Sequence, residues 1–162
     1  MRRLLRARRA SATVEFAICG LTVLITMFVI LDLGDLALVL SAMTYSSQEA
    51  VRQAAVQTSA NLAGLGTSTS CLSQAQIVAL FNSAMPSLLP AGSSSGTGSG
   101  APLVQASWVQ GSGTSNGTGT YLTLTARYNW VAPGMLRVVV PLTVSETQMV
   151  QGTSGTEPAQ CS

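Results

Sequence analysis

The sequence predicts an α+β fold in which one long N-terminal helix, membrane-spanning in its first half and amphipathic in its second, packs on a small antiparallel β-sheet. Three observations carry that expectation. An arginine-rich start leads into an unbroken apolar run over residues 12–31. Small and apolar residues then recur at helical steps, with no proline before Pro86. Near the other end, residues 120–130 and 136–150 alternate apolar with polar side chains, as strands with one buried face do.

Composition narrows the partners. Only 9% of the 162 residues are charged, against roughly 25% in ordinary soluble domains, which favours a membrane. All eight basic residues are arginine, and Arg2, Arg3, Arg6, Arg8 and Arg9 crowd into the first nine positions. From Ser11 onward three arginines face six acids, a net charge of −3. That body offers no clustered positive face for a phosphate backbone, so nucleic acid is excluded as a partner.

Residues 1–10 form a basic leader and residues 11–31 a transmembrane helix. A hydrocarbon core about 30 Å thick takes roughly 20 helical residues at 1.5 Å each. Residues 12–31 supply them with Glu15 as the one charge. Arginines before the span, and Asp32 and Asp35 after it, place the N-terminus in the cytoplasm and the remainder outside. A cleaved secretory signal fits less well, because the run exceeds the roughly 7–15 residues of such a segment and no small-x-small site follows it. Asp32 and Asp35 read as markers of the outer interface.

Residues 32–58 continue the helix, with Leu33, Leu36, Ala37, Leu40, Met43, Ser47, Ala50 and Ala54 on one face. Glu49 and Arg52, spaced i,i+3, form either a solvated helix contact or a pair that orients the helix on the sheet. Residues 59–162 make the extracytoplasmic domain. It opens with a loop rich in glycine and hydroxyl residues, followed by a short helix over residues 73–85 entered by a Ser73/Gln76 capping box. Residues 91–100 read as a Gly/Ser/Thr linker that does not need to pack. Strands are expected at about 103–109, 120–130 and 136–150, with a Pro133-Gly134 turn before the last and a loose tail from Gln151. Pro141 cannot donate to a ladder, which calls for an edge position or a bulge.

The three cysteines divide by position. Cys19 lies inside the span as a small apolar filler. Cys71 and Cys161 both fall in the exported part, where an oxidising compartment makes a Cys71–Cys161 disulfide the natural pairing.

No enzyme is expected, and neither a catalytic residue nor a metal or other cofactor. The chain has no histidine, which removes the commonest general base and metal ligand. Its cysteines lack metal-ligand spacing. Gly92-Ser93-Ser94-Ser95-Gly96 matches a nucleophile-elbow pattern but lacks the strand and helix that pattern requires. Asn116-Gly117-Thr118 reads as an exposed turn.

The arginine-rich leader, Ala12-Thr13-Val14-Glu15-Phe16-Ala17, the apolar run, Asp32-Leu33-Gly34-Asp35 and Gln48-Glu49-Ala50-Val51-Arg52-Gln53-Ala54-Ala55 together resemble the TadE-like family of minor pseudopilins of the Flp/Tad pilus system. The likeness covers residues 1 to about 56, and the strands resemble the family's C-terminal region in pattern. It implies a pilin-like fold and a non-enzymatic part in assembling an adhesive, biofilm-forming pilus. The implied partners are a prepilin peptidase, other pilins and pseudopilins, an inner-membrane assembly platform and the lipid bilayer. It also implies that the peptidase cuts between Ala10 and Ser11, five residues before Glu15-Phe16, with alanine standing where the family pattern has glycine. Glu15 would then meet the free amine of a neighbouring subunit's Ser11. The residues alone leave two alternatives open: Glu15 lies shallow enough to reach water by itself, and the chain is a permanent single-span anchor whose exported domain binds a ligand or envelope partner.

Overall fold

The computed structural model describes residues 2–62, 71–87, 89–94, 100–110, 120–132 and 138–150. Their elements run α1 (Arg2–Leu62), α2 (Gln74–Ala84), β1 (Leu103–Gln110), β2 (Thr120–Val131) and β3 (Val139–Val150). The chain is α+β, as its patterning predicts: a long helix beside a three-stranded antiparallel sheet of order β1-β2-β3.

α1 has 61 residues, about 90 Å at 1.5 Å each. It is longer than expected at both ends. The arginine leader is helical, and the helix passes the expected end near residue 58 to Leu62. Neither glycine nor proline interrupts residues 58–62, and Thr58 and Asn61 are buried there. Tertiary burial therefore holds a stretch whose own residues have only middling helix propensity. The rest of the expected loop, residues 63–70, lies outside the described residues.

The buried stripe of α1 also differs from the expected one. Met43, Ser47, Ala50 and Ala54 are buried as the spacing requires, and Leu36 is partly so. Leu33, Ala37 and Leu40 remain exposed. Val39, Ser46, Val51 and Ala55 take up the contact instead. The stripe is wide because α1 is touched on two sides, by α2 and by the sheet.

Ser73 caps α2 as its sequence predicts. Gln76 N donates to Ser73 Oγ at 3.4 Å, and Ser73 N donates to Gln76 Oε1 at 2.9 Å. The helix buries Ile77, Val78 and Phe81 and stops before Pro86.

In β2, Leu122, Leu124, Ala126 and Trp130 are buried while Tyr121, Arg127, Asn129 and Val131 are exposed. β3 starts at Val139, later than expected, and its inner face carries Val140, Leu142, Val144 and Val150. Pro141 sits on this edge strand opposite Asn129, where its missing N–H leaves no ladder bond unmade. Leu136 and the Pro133-Gly134 turn lie outside the described residues. So do the Asn116 turn, Cys161 and the tail.

The reading of residues 91–100 as a linker that does not need to pack is corrected as well. The start of the 91–100 segment packs into the core. Asn82 clasps Gly92 with both ends of its amide: Gly92 N donates to Oδ1 at 2.6 Å, and Nδ2 donates to Gly92 O at 3.1 Å. Ser93 N then donates to Pro102 O and Val104 N donates to Ser93 O, each at 2.9 Å, forming a parallel bridge to Leu103. A composition argument misses this because glycine's use here is steric. A Cβ on Gly92 would lie 2.9 Å from Val104 Cγ2 and 3.1 Å from the Phe81 ring.

The core joins α1, α2 and the inner sheet face through Met43, Val51, Ile77, Phe81, Val104, Leu122 and Leu124. Each large side chain contributes about 1.5–3 kcal/mol when fully buried.

Candidate functional site

Among the described residues one helix is long and apolar enough to cross a membrane, and its most apolar stretch is wholly exposed. Val14, Phe16, Ile18, Leu21, Val23, Leu24, Ile25, Met27, Phe28, Val29, Ile30 and Leu31 all face outward. Monomeric soluble proteins rarely expose so continuous an apolar surface, which marks it as a contact surface. The two threonines within it are neutralised locally. Thr22 Oγ1 donates to Ile18 O at 3.0 Å and Thr26 Oγ1 to Thr22 O at 2.9 Å. Both hydroxyl protons are thereby satisfied without water, which suits a helix meant for lipid or for neighbouring helices. A shallow apolar groove of about 470 Å³ runs along Thr22, Val23, Thr26, Met27, Ile30 and Leu31.

Glu15 and Phe16 lie at the start of this surface, and both are exposed. The backbone is helical through Ala10 and Ser11, whose side chains fall outside the described ones. Glu15 is the only carboxylate between Thr13 and Leu31. Cys19 is free and exposed on the same helix. Cys71 is half-buried just ahead of Ser73 and is not a free thiol. Its expected partner, Cys161, lies outside the described residues.

Above the apolar stretch, α1 is tied to the sheet at two heights. Trp130 Nε1 donates to Asp35 Oδ2 at 3.0 Å, and Gln48 Nε2 donates to Glu146 Oε1 at 3.3 Å. Asp35 thus does more than mark an interface. It accepts the single N–H of a tryptophan whose ring is otherwise buried. Sequence reasoning missed the pair because β2 patterning turns Trp130 inward without saying which acid it meets. The signal available was that a buried indole N–H needs an acceptor.

Glu49 and Arg52 resolve into a contact within α1. Arg52 donates to both Glu49 oxygens, from Nε at 3.0 Å and Nη2 at 2.7 Å, and Gln53 Nε2 donates to Oε1 at 2.6 Å. The Arg52 bonds, followed by that from Gln53, hold the Glu49 carboxyl down to about 2. The residue that reaches the sheet is the neighbouring Gln48.

A second hollow, about 420 Å³, lies beside β1 among Gln74, Ser94, Gln105, Ala106, Ser107 and Thr125. None of these side chains titrates near neutral pH, so the hollow offers hydrogen bonding only. Gln74 is already committed. Its Nε2 donates to Val104 O at 2.7 Å and its Oε1 accepts from Ala106 N at 2.8 Å, which satisfies the outer edge of β1 as a neighbouring strand would. Among the described residues no group of three or more Cys, Asp or Glu side chains comes together to hold a metal.

No protein-family model, curated protein or solved structure matches the chain. The geometry is therefore the ground for a functional reading.

Proposed function

We propose that the chain is a minor pseudopilin of a Flp/Tad-type pilus assembly system, a non-enzymatic subunit of an apparatus for adhesion and surface attachment. In this reading α1 anchors it in the bacterial inner membrane, with the N-terminus cytoplasmic and the sheet domain outside. A prepilin peptidase releases residues 1–10 by cutting between Ala10 and Ser11. Other pilins, pseudopilins and an inner-membrane platform then take up the exposed helix. Cys71 pairs with Cys161 in the oxidising compartment.

The observation that carries the reading is the contrast along α1. From Thr13 to Leu31 the helix is exposed, apolar and locally satisfied, while from Val39 onward one stripe of it is buried in the domain. A carboxylate stands alone at the start of the exposed part. Placed near lipid, Glu15 costs some kcal/mol unless it snorkels or meets a partner. The amine freed at a neighbouring subunit's Ser11 supplies one.

The test is the N-terminal residue of the protein from its native membranes, by intact mass and terminal sequencing, with and without the peptidase. A start at Ser11 that vanishes without the peptidase is expected. An intact leader in both strains would leave a permanent membrane anchor in place of a pseudopilin. In the processed protein, Glu15→Val should still insert but abolish pilus-dependent adhesion.

A further inference from the structure

We infer that the membrane-facing end of the sheet, formed by Val131 at the end of β2 and Val138–Val139 at the start of β3, is a second lipid contact resting on the headgroup–acyl boundary. The inference rests on the reading of α1 as a membrane span.

The two ties between α1 and the sheet set the heights. Asp35 and Gln48 are thirteen residues apart, about 20 Å of helix. Their sheet partners are Trp130, which pairs with Val140, and Glu146. Val140 and Glu146 are six residues apart, about 20 Å of strand. The equal lengths mean that β3 runs nearly parallel to α1 and rises away from the membrane, while β2 descends toward it.

Each residue below the Trp130–Val140 pair therefore comes about 3.3 Å nearer the bilayer. Val131 and Val139 are the next pair. Val138 lies one step lower, its carbonyl accepting from Ala132 N at 3.0 Å. Asp35 stands four residues, about 6 Å, beyond Leu31. Val138 and Val139 thus reach to within about 3 Å of the level of Leu31, the last residue of the apolar run.

The chemistry at that level fits lipid. Val131, Val138 and Val139 are 51%, 50% and 57% exposed. On α1, Leu33 and Leu38 are exposed at neighbouring heights. Along the described outer face of the sheet, the first charged side chain above Val131 is Arg127, about 13 Å up β2. Trp130, buried in the core with its N–H held by Asp35, stands just above the valines and fixes their level against α1. Val131 and Val139 lie on the face of the sheet turned away from α1, at the level where the apolar run of the helix ends, so a bilayer that covers the helix as far as Leu31 reaches them.

The test places a benzophenone crosslinker, p-benzoylphenylalanine, at one position at a time in the full chain reconstituted in phosphatidylcholine vesicles. Irradiation is followed by intact mass to count attached lipid. Val29, within the span, reports on the membrane reading itself. Val139 and Val131 report on the inferred contact. Thr147, on the same face of β3, is the distant control. It lies about 26 Å above Val139, nearly a hydrocarbon thickness of about 30 Å, so roughly tenfold more lipid adduct is expected at Val139 than at Thr147. Adduct at Val29 but at neither valine would overturn the inference and leave the span intact. Equal adduct at Val139 and Thr147 would also overturn it, because the domain would then lie flat on the surface. Absence of adduct at Val29 would remove the span and the contact together.

Discussion

Trp130 and Asp35 are 95 residues apart in sequence and joined by a 3.0 Å hydrogen bond. The bond fixes the C-terminal end of β2 to α1 where the apolar run gives way to the domain. Only half of it is shielded, since the indole ring is buried and Asp35 is exposed.

Trp130→Phe removes the donor and keeps most of the ring packing. Loss of a hydrogen bond to a partly solvated carboxylate should lower stability by about 1–2 kcal/mol. In an Asp35→Ala background the same substitution should cost distinctly less, because the acceptor is already gone. Denaturant titration of the full chain in detergent, followed by near-ultraviolet circular dichroism, gives all four corners of the cycle. Fully additive losses would show that the bond carries no coupling.

Gly92→Ala tests the close approach behind α2. The added methyl would meet Val104 Cγ2 at 2.9 Å and the Phe81 ring at 3.1 Å. Both neighbours are fully buried, and a β-branched valine has few rotamers in which to retreat. Overpacking of this kind costs about 1–3 kcal/mol. Val104→Ala should relieve part of that cost, so the double variant should be more stable than the sum of the single losses allows. A Gly92→Ala protein as stable as the parent would mean that the segment has room to shift.

Glu49 should titrate at about 2, followed by its side-chain carbonyl resonance against pH. Its folded pKa is depressed, so its contribution to stability is complete above the ordinary carboxylate value near 4.3 and is lost as pH falls toward 2. Arg52→Ala removes the largest cause and should bring the value back up toward the ordinary range. Gln53→Ala should move it less. Both residues of the pair are solvent-accessible, so the change in overall stability should be slight.

Cys71→Ser and Cys161→Ser should each destabilise the chain by the same amount, and the double substitution by no more than either. A closed loop of about 90 residues corresponds to roughly 3–5 kcal/mol in the chain-entropy account. Reductant should mimic the substitutions in the parent protein and do nothing to the variants. Stability that is indifferent to Cys71→Ser would refute the pairing.

Much of this architecture is legible in the residue pattern. Alternation places Leu122, Leu124 and Ala126 inside β2, the Ser73/Gln76 spacing fixes the start of α2, and Pro141 points to the edge position that β3 occupies. These succeed because each depends on neighbours two to four residues away, where backbone geometry dictates which side chains share a face. The membrane-length apolar helix is legible for the same reason, since composition and length along one helix suffice.

The chain's sequence by itself thus determined an α+β fold, an apolar N-terminal helix and the faces of its strands. Only the tertiary structure decided that α1 runs to Leu62, that Val39 and Val51 rather than Leu33 and Leu40 turn inward, that Gly92 is wedged between Val104 and Phe81, and that Asp35 rather than Asp32 receives Trp130. Local periodicity gives the direction of a side chain to within a helical face. Which of two adjacent faces is covered depends on where distant segments come to rest, and that is settled by burying the most apolar surface while leaving no indole or backbone N–H without an acceptor.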